Sequence, residues 1–255
     1  MHAILTGASS GIGAALAREL AAHGYTLTLV ARRAALLDAL ASELPVQTHR
    51  IVRDLSEMSQ ATDWLAEAEA ALGPVDVLIN NAGVQIVAAA AETDPEAGER
   101  LLRLNLLTPM RLMRAVLPGM LARKRGTLVN ISSMAGIAPT PGMFYYNASK
   151  AGLGAASEAL FGELRGTGVT TCTVYPGYIL ETDMGAAGYA AYDMNFAARM
   201  QPNGKASVLA RKVRKAIEGR SQRVIYPWFN VFGRHLPGPT RWLMDRLTPP
   251  VKRLG

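Results

Sequence analysis

In the stretch "FYYNASK", residues 144–150, a tyrosine stands four residues before a lysine. On a helix, residues four apart share a face, so Tyr146 and Lys150 would be neighbours. Tyr145, five residues before the lysine, would lie roughly 140° around the axis. An ammonium beside a phenol stabilises the phenolate and lowers a pKa that is otherwise about 10. A phenol tuned in that way is a general acid and base. Taken alone, such a pair is more commonly a packed aromatic beside a solvated amine, so the surrounding sequence has to decide.

A second cluster opens the chain. In "TGASSGIG", residues 6–13, Gly7, Gly11 and Gly13 fall where an apolar run gives way to helical periodicity. Glycine lets the backbone turn tightly and approach a pyrophosphate, which then sits on the helix N-terminus. A plain tight turn is the bland alternative. The next strand ends in "VARRAAL". There Ala31 replaces the acid that would bind a ribose diol in an NAD site, and Arg32 and Arg33 follow. A guanidinium pair can grip a 2′-phosphate, whereas cations at a helix start oppose its dipole unless an anion is near. NADP(H) is therefore favoured over NAD(H). Asp54 in "RDLS" is placed to accept from an adenine amino group, or else is a helix-entry residue. The runs "NNAG", "NISSMAG" and "VYPGYILETDM" each follow a further apolar segment.

The elements that position these clusters alternate strictly. Strands are predicted at residues 2–5, 26–31, 47–51, 75–79, 127–131, 169–174 and 223–225. Helices are predicted at 12–23, 34–43, 58–72, 96–122, 144–165 and 206–218, with Asp94 capping the long fourth one and Pro95 at its first position. Repeated β-α-β units imply a parallel sheet with helices on both faces. Ligands then gather beyond the carboxyl ends of the strands, where every one of the clusters above falls. With no repeat, linker or low-complexity tract, residues 1–255 read as a single dinucleotide-binding catalytic domain.

The ordered set "TGASSGIG", "NNAG", "NISS", "YNASK" and "PG", across residues 1–185, resembles the short-chain dehydrogenase/reductase family. The resemblance implies a Rossmann-type doubly wound α/β fold with seven parallel strands. It implies hydride transfer between NAD(P) and a carbonyl/alcohol pair. Tyr146 would be the acid/base, and Lys150 would lower its pKa and bind the nicotinamide ribose. Ser133, 13 residues before Tyr146, would hold the substrate oxygen in preference to Ser132, and Asn105 would position Lys150 through a water relay. For the cofactor, the resemblance carries over Gly7, Ser9, Ser10, Gly11, Ile12 and Gly13 at the phosphates and Arg32 and Arg33 at the 2′-phosphate. It assigns Asp54 and Leu55 to adenine, Asn81 and Gly83 to the ribose loop, and Pro176, Gly177, Ile179 and Thr182 to the nicotinamide. One departure stands out. The family commonly runs Pro-Gly-x-Val/Ile-x-Thr, but here Glu181 holds the threonine position and Thr182 comes one later, with Leu180 reading as an insertion.

Composition excludes other classes. The 255 residues hold one cysteine, Cys172, in a strand context that favours packing over redox chemistry. No disulfide framework, secretory signal or metal-ligand spacing is seen, which points to the cytoplasm. Net charge is +7, but residues 205–255 carry 12 basic and 2 acidic residues, so the basic excess belongs to the tail. Charge alone does not support nucleic-acid binding. The segment 183–205, with Tyr189, Tyr192 and Phe196, reads as a substrate loop for an uncharged, hydrophobic substrate. The arm 226–255, with Trp228 and Trp242 among arginines, either covers the cleft, packs on a subunit or rests on a membrane surface. Small residues at Ala148, Ala151, Gly152, Ala155 and Ala156 suit a close helix pairing in a homodimer or homotetramer. Three other functions compete with the NADP(H)-dependent ketoreductase reading. One is a 3-oxoacyl thioester reductase. Another is a scaffold that senses NADP(H) without turnover, which has no use for Ser133, Tyr146 and Lys150 together. The third is a membrane-anchored structural protein.

Overall fold

A computed structural model describes residues 1–193, 203–228, 231–236, 238–240, 242, 246 and 248. Seven strands form one sheet: β1 (His2–Thr6), β2 (Thr26–Ala31), β3 (Thr48–Val52), β4 (Val75–Asn80), β5 (Gly126–Ile131), β6 (Val169–Pro176) and β7 (Arg223–Tyr226). Their order is β3-β2-β1-β4-β5-β6-β7, and every neighbouring pair is parallel. The helices are α1 (Gly11–Ala21), α2 (Ala34–Glu43), α3 (Leu65–Leu72), α4 (Pro95–Leu102), α5 (Thr108–Ala122), α6 (Phe144–Glu163), α7 (Asp183–Ala190), α8 (Ala206–Glu218) and the short α9 (Val231–His235).

The apolar strand runs explain the layering. Side chains alternate between the two faces of a strand. Ala3 and Leu5 of β1 join a core with Leu16 and Leu20 of α1, Leu37 of α2 and Val213 of α8. Ile4 points the other way, into a core with Trp64, Leu112 and Val116 of α5, and Leu153 of α6. Both faces are thus covered, as a parallel sheet requires. The strand order reverses between β1 and β4, so the loops leaving them diverge and open a crevice at their carboxyl ends.

Two predicted helices are broken, each for a tertiary reason. The one expected at 58–72 starts only at Leu65, after a 3-10 turn at Met58–Gln60. Side chains of α5 take the carbonyls of the preceding segment: Thr108 Oγ1 donates to Leu55 O at 2.6 Å and Arg111 to Met58 O at 2.7 Å. Trp64, 1% exposed, is driven into the core at the bend. The helix expected at 96–122 is divided by a π turn at Arg103–Leu107. Pro109 sits four residues after Asn105 and has no N–H for its carbonyl, which favours the wider turn. The Asp94 cap forms as expected, accepting from Glu96 N and Ala97 N.

Thr182 caps α7, the helix that opens the expected substrate loop. Phe196 of that loop and much of the 226–255 arm lie outside the described residues. Among the described residues, no helix is long and apolar enough to cross a membrane.

Candidate functional site

A cleft of about 760 Å³ runs along the carboxyl ends of the strands. Gly7, Gly11, Arg32, Arg33, Asp54, Asn81, Ser133, Tyr146, Lys150, Gly177 and Thr182 all line it. The residues assigned to catalysis and cofactor binding are therefore brought to one cavity, Asn105 excepted, while Tyr189 of the expected substrate loop does not line it. Asn105 stands just behind the wall, fully buried, and Tyr145 lies elsewhere.

At one end, two loops are bolted together. Thr6 Oγ1 donates to Ile79 O and accepts from Asn81 N and Ala82 N, both at 3.0 Å. Asn81 Nδ2 donates back to Thr6 O and Gly7 O at 3.0 and 3.1 Å. The fit is so close that a Cβ on Gly7 would stand 2.7 Å from Ala82 Cα, and Gly7 has φ +66°. The Asn81 side chain is thus a fastener. Thr6, its partner, had no assigned role in the sequence reading, although it opens the glycine motif.

The start of α1 is left open. Ser10 makes no side-chain cap and the first turn holds no acid. Free N–H groups and the positive end of the dipole therefore face the cleft, which suits an anion. Arg33 donates to Ser9 Oγ at 3.0 Å and Ser10 Oγ at 2.7 Å, so its charge overhangs the same loop. Arg32 lies 3.7 Å from Asp54 Oδ2. Burial opposes charge on Asp54, but bonds from Ser56 N and Oγ together with Arg32 outweigh it and lower its pKa. Leu55 is buried beside it. These features fit the phosphates of a nicotinamide dinucleotide.

At the other end, the two serines divide. Both serines line the cleft, but Ser132 Oγ is turned to Lys150 O at 2.7 Å, whereas Ser133 Oγ accepts from Ala135 N and its hydroxyl lies beside the Tyr146 phenol. Tyr146 and Lys150 share the buried face of α6, with Nζ 5.8 Å from the ring centroid. Lys150 Nζ donates to Ile131 O at 2.8 Å. Burial pushes its pKa down to about 8. Burial also raises the Tyr146 phenol above its usual range, the Ser133 hydroxyl pulls it part of the way back, and nearby Tyr178 raises it further. The lowering expected from Lys150 is outweighed in this arrangement by burial of the phenol.

Asn105 Oδ1 accepts from Val84 N at 2.9 Å, and its Nδ2 donates to Val84 O and to Ser149 Oγ. A Cβ on Gly83 would stand 3.1 Å from that Oδ1 and 3.4 Å from Lys150 Nζ, so the two groups flank Gly83. Tyr145 instead packs its ring on Gly98 of α4, edge-on to Phe144.

The shifted Thr182 has a structural explanation. Its hydroxyl donates to Ile179 O and accepts from Gly185 N, and its methyl faces Gly11 across the cleft. Glu181 accepts from Ala206 N at 2.5 Å and so caps α8. The extra residue lets one acid and one threonine cap two different helices. Sequence reasoning also missed Tyr178, which lines the cleft and meets Tyr189 edge-on. Its position directly after Pro176-Gly177 was the available signal. Among the described residues there is no cluster of His, Cys, Asp and Glu fit to hold a metal.

A family model described as short chain dehydrogenase matches residues 1–192. A short chain dehydrogenase of Pseudocercospora fijiensis is 35% identical over 72% of this chain. Ketoacyl reductase HetN of Nostoc is 37% identical over 71%. The matched regions span 61% and 64% of those relatives' own lengths. Among solved structures, a short-chain dehydrogenase from Streptomyces avermitilis covers 96% of this chain and matches over 94% of its own, at 30% identity and TM-score 0.81. A metagenomic short-chain oxidoreductase in complex with NADP covers 88% of this chain and matches over 96% of its own, at 31% identity and TM-score 0.74.

Proposed function

The chain belongs to the short-chain dehydrogenase/reductase family, and on that premise we propose that it is an NADP(H)-dependent oxidoreductase. It interconverts a carbonyl and a secondary alcohol on an apolar substrate. One observation carries this reading: a single cleft joins the open start of α1 and the arginine pair to Ser133, Tyr146 and Lys150. Bound there, the nicotinamide would supply or accept the hydride.

The chain's own groups handle binding and the proton. The loop from Gly7 to Gly13 would hold the pyrophosphate on the α1 dipole, and Arg32 and Arg33 would hold the 2′-phosphate. Asp54 and Leu55 border the adenine, and Asn81 and Gly83 the ribose. Pro176, Gly177, Ile179 and Thr182 border the nicotinamide. In reduction, Tyr146 passes its phenolic proton to the substrate oxygen, and in oxidation it takes that proton back. Ser133, whose Oγ accepts from Ala135 N and whose hydroxyl lies beside the phenol, turns its O–H to the same oxygen when substrate is bound. Lys150 turns its ammonium from Ile131 O toward the ribose and the phenol, lowering the Tyr146 pKa. Asn105, across Gly83, positions that ammonium. The substrate end is walled by Val84, Met134, Met143, Tyr178 and Tyr192, which suits an uncharged, apolar ketone.

The same reading takes in the surroundings. Cys172 is buried, and its thiol is pushed up to about 12, so it is inert, as a reducing cytoplasm allows. Exposed Met110 and Leu121 on α5 and Phe144 on α6 offer a face for a two-fold homo-oligomer. Exposed Trp228 and Trp242 suit peripheral contact with a membrane surface.

The test is NADPH oxidation against ketosteroids, aliphatic ketones and acetoacetyl thioesters, repeated with NADH. Carbonyl-dependent oxidation with NADPH preferred is expected. No turnover of any carbonyl sinks the reaction, and equal or better use of NADH sinks the arginine assignment. A second reading, 3-oxoacyl thioester reduction, draws on the likeness to a ketoacyl reductase. Selective turnover of the thioester would favour it.

A further inference from the structure

Glu158 lies two turns beyond Lys150 on the same helix, α6, and is the meeting point of three other elements. Tyr175 of β6 donates its hydroxyl to Oε1 at 2.8 Å. Arg223 of β7 grips both carboxylate oxygens at 2.8 and 3.1 Å. Arg234 of α9, in the C-terminal arm, donates to Oε2 at 2.8 Å and lies 5.9 Å from the centroid of the Tyr175 ring. Arg223 and Tyr175 belong to the sheet and need no arm. Arg234 is what ties the arm to the helix that carries Tyr146 and Lys150.

The tie has a consequence one residue away. Gly233 is buried, and a Cβ there would stand 3.0 Å from Met134 Cε. Met134 directly follows Ser133 and lines the cleft. Gly233, Thr240 and Thr248 of the arm line the same cavity. The wall beside the substrate oxygen is therefore completed from a segment remote in sequence.

We propose that α9, with Thr240 and Thr248 beyond it, is the outer wall of the substrate end of the cleft. Arg234 is the positioning residue that latches it to Glu158, and Gly233 against Met134 sets how bulky a substrate the cleft admits. This deepens the oxidoreductase reading and rests on it for its kinetic arm.

The experiment compares wild type, Arg234→Gln, Arg234→Lys and Gly233→Val. Steady-state reduction by NADPH is measured on a series of apolar ketones graded from small to steroid-sized. Unlatching should raise KM for the bulky ketones about tenfold, by loss of apolar contact, with kcat and NADPH affinity within about threefold and small ketones little changed. The lysine variant should recover part of that loss. Gly233→Val should push Met134 inward and cut kcat/KM for the bulky ketones while sparing the small ones. Hydrogen exchange across residues 133–138, read without substrate, should rise in Arg234→Gln. An unchanged size profile in both variants would overturn the proposal. So would uniform loss across all ketones together with weakened NADPH binding. If wild type turns over no ketone, the assigned reaction fails. Hydrogen exchange then decides the latch alone, and unaltered exchange at 133–138 rejects it.

Discussion

The two ends of the cleft are built by opposite means. The end around the glycine loop is compact, with the side chains of Thr6 and Asn81 bonded to backbone groups of two adjacent strand ends. Thr6 and Asn81 lock two neighbouring strand ends together, and Gly7 admits a backbone contact that no side chain would survive. The end around Tyr146 is assembled from distant side chains on β5, α6, β6, α7 and the C-terminal arm. The first end is pinned by a few bonds between two adjacent strand ends. The second depends on where whole elements pack, and it buries its titratable groups, as the displaced pKa values of Tyr146 and Lys150 record.

The difference can be probed from both sides. Tyr146→Phe strikes the assembled end and should lower kcat/KM about a thousandfold, while fluorescence titration finds NADPH affinity within threefold. Residual turnover near the wild-type rate would remove Tyr146 from the chemistry. Replacing Arg32 and Arg33 together by alanine strikes the other end. It should lower the preference for NADPH over NADH by roughly ten- to a hundredfold, on the order of one or two charge-assisted bonds. The reaction with NADH should be spared, and an unchanged preference ratio would place the 2′-phosphate elsewhere.

Asn81→Ala should lower stability by about 1–3 kcal/mol, because it leaves buried carbonyls of the glycine loop unpartnered. Denaturant unfolding would measure this, and an unchanged midpoint would mean that Thr6 alone holds the loops. Smallest of all, Tyr145→Phe should change kcat/KM less than about twofold, since its ring packs on Gly98 outside the cleft. A large loss there would undo the division between the paired tyrosines.

Legibility follows the same divide. The seven strands, their parallel arrangement and the Asp94 cap were readable because apolar periodicity and capping are local signals. Tyr146 was separable from Tyr145 by helix geometry alone, and the two now lie on different surfaces of α6. The π turn at Arg103–Leu107 was not readable as such, although Pro109 was in view. A proline at the start of a turn kinks, caps or widens a helix depending on what packs against it. The early turn at Met58–Gln60 was hidden because its carbonyls are taken by Thr108 and Arg111, some fifty residues on.

By itself, then, the order of residues determined the sheet, the glycine loop, the arginine pair and the spacing of tyrosine from lysine. All of these depend on interactions within a few residues or on one strand–turn–helix unit. Only the tertiary structure decided that Asn81 is a fastener and that Ser132 turns to Lys150 O while Ser133 lies beside the Tyr146 phenol. It also decided that Glu181 caps α8 and that Arg234 reaches Glu158. Those roles depend on which buried donor meets which acceptor across the fold, and a buried polar group takes the partner that packing brings within about 3 Å.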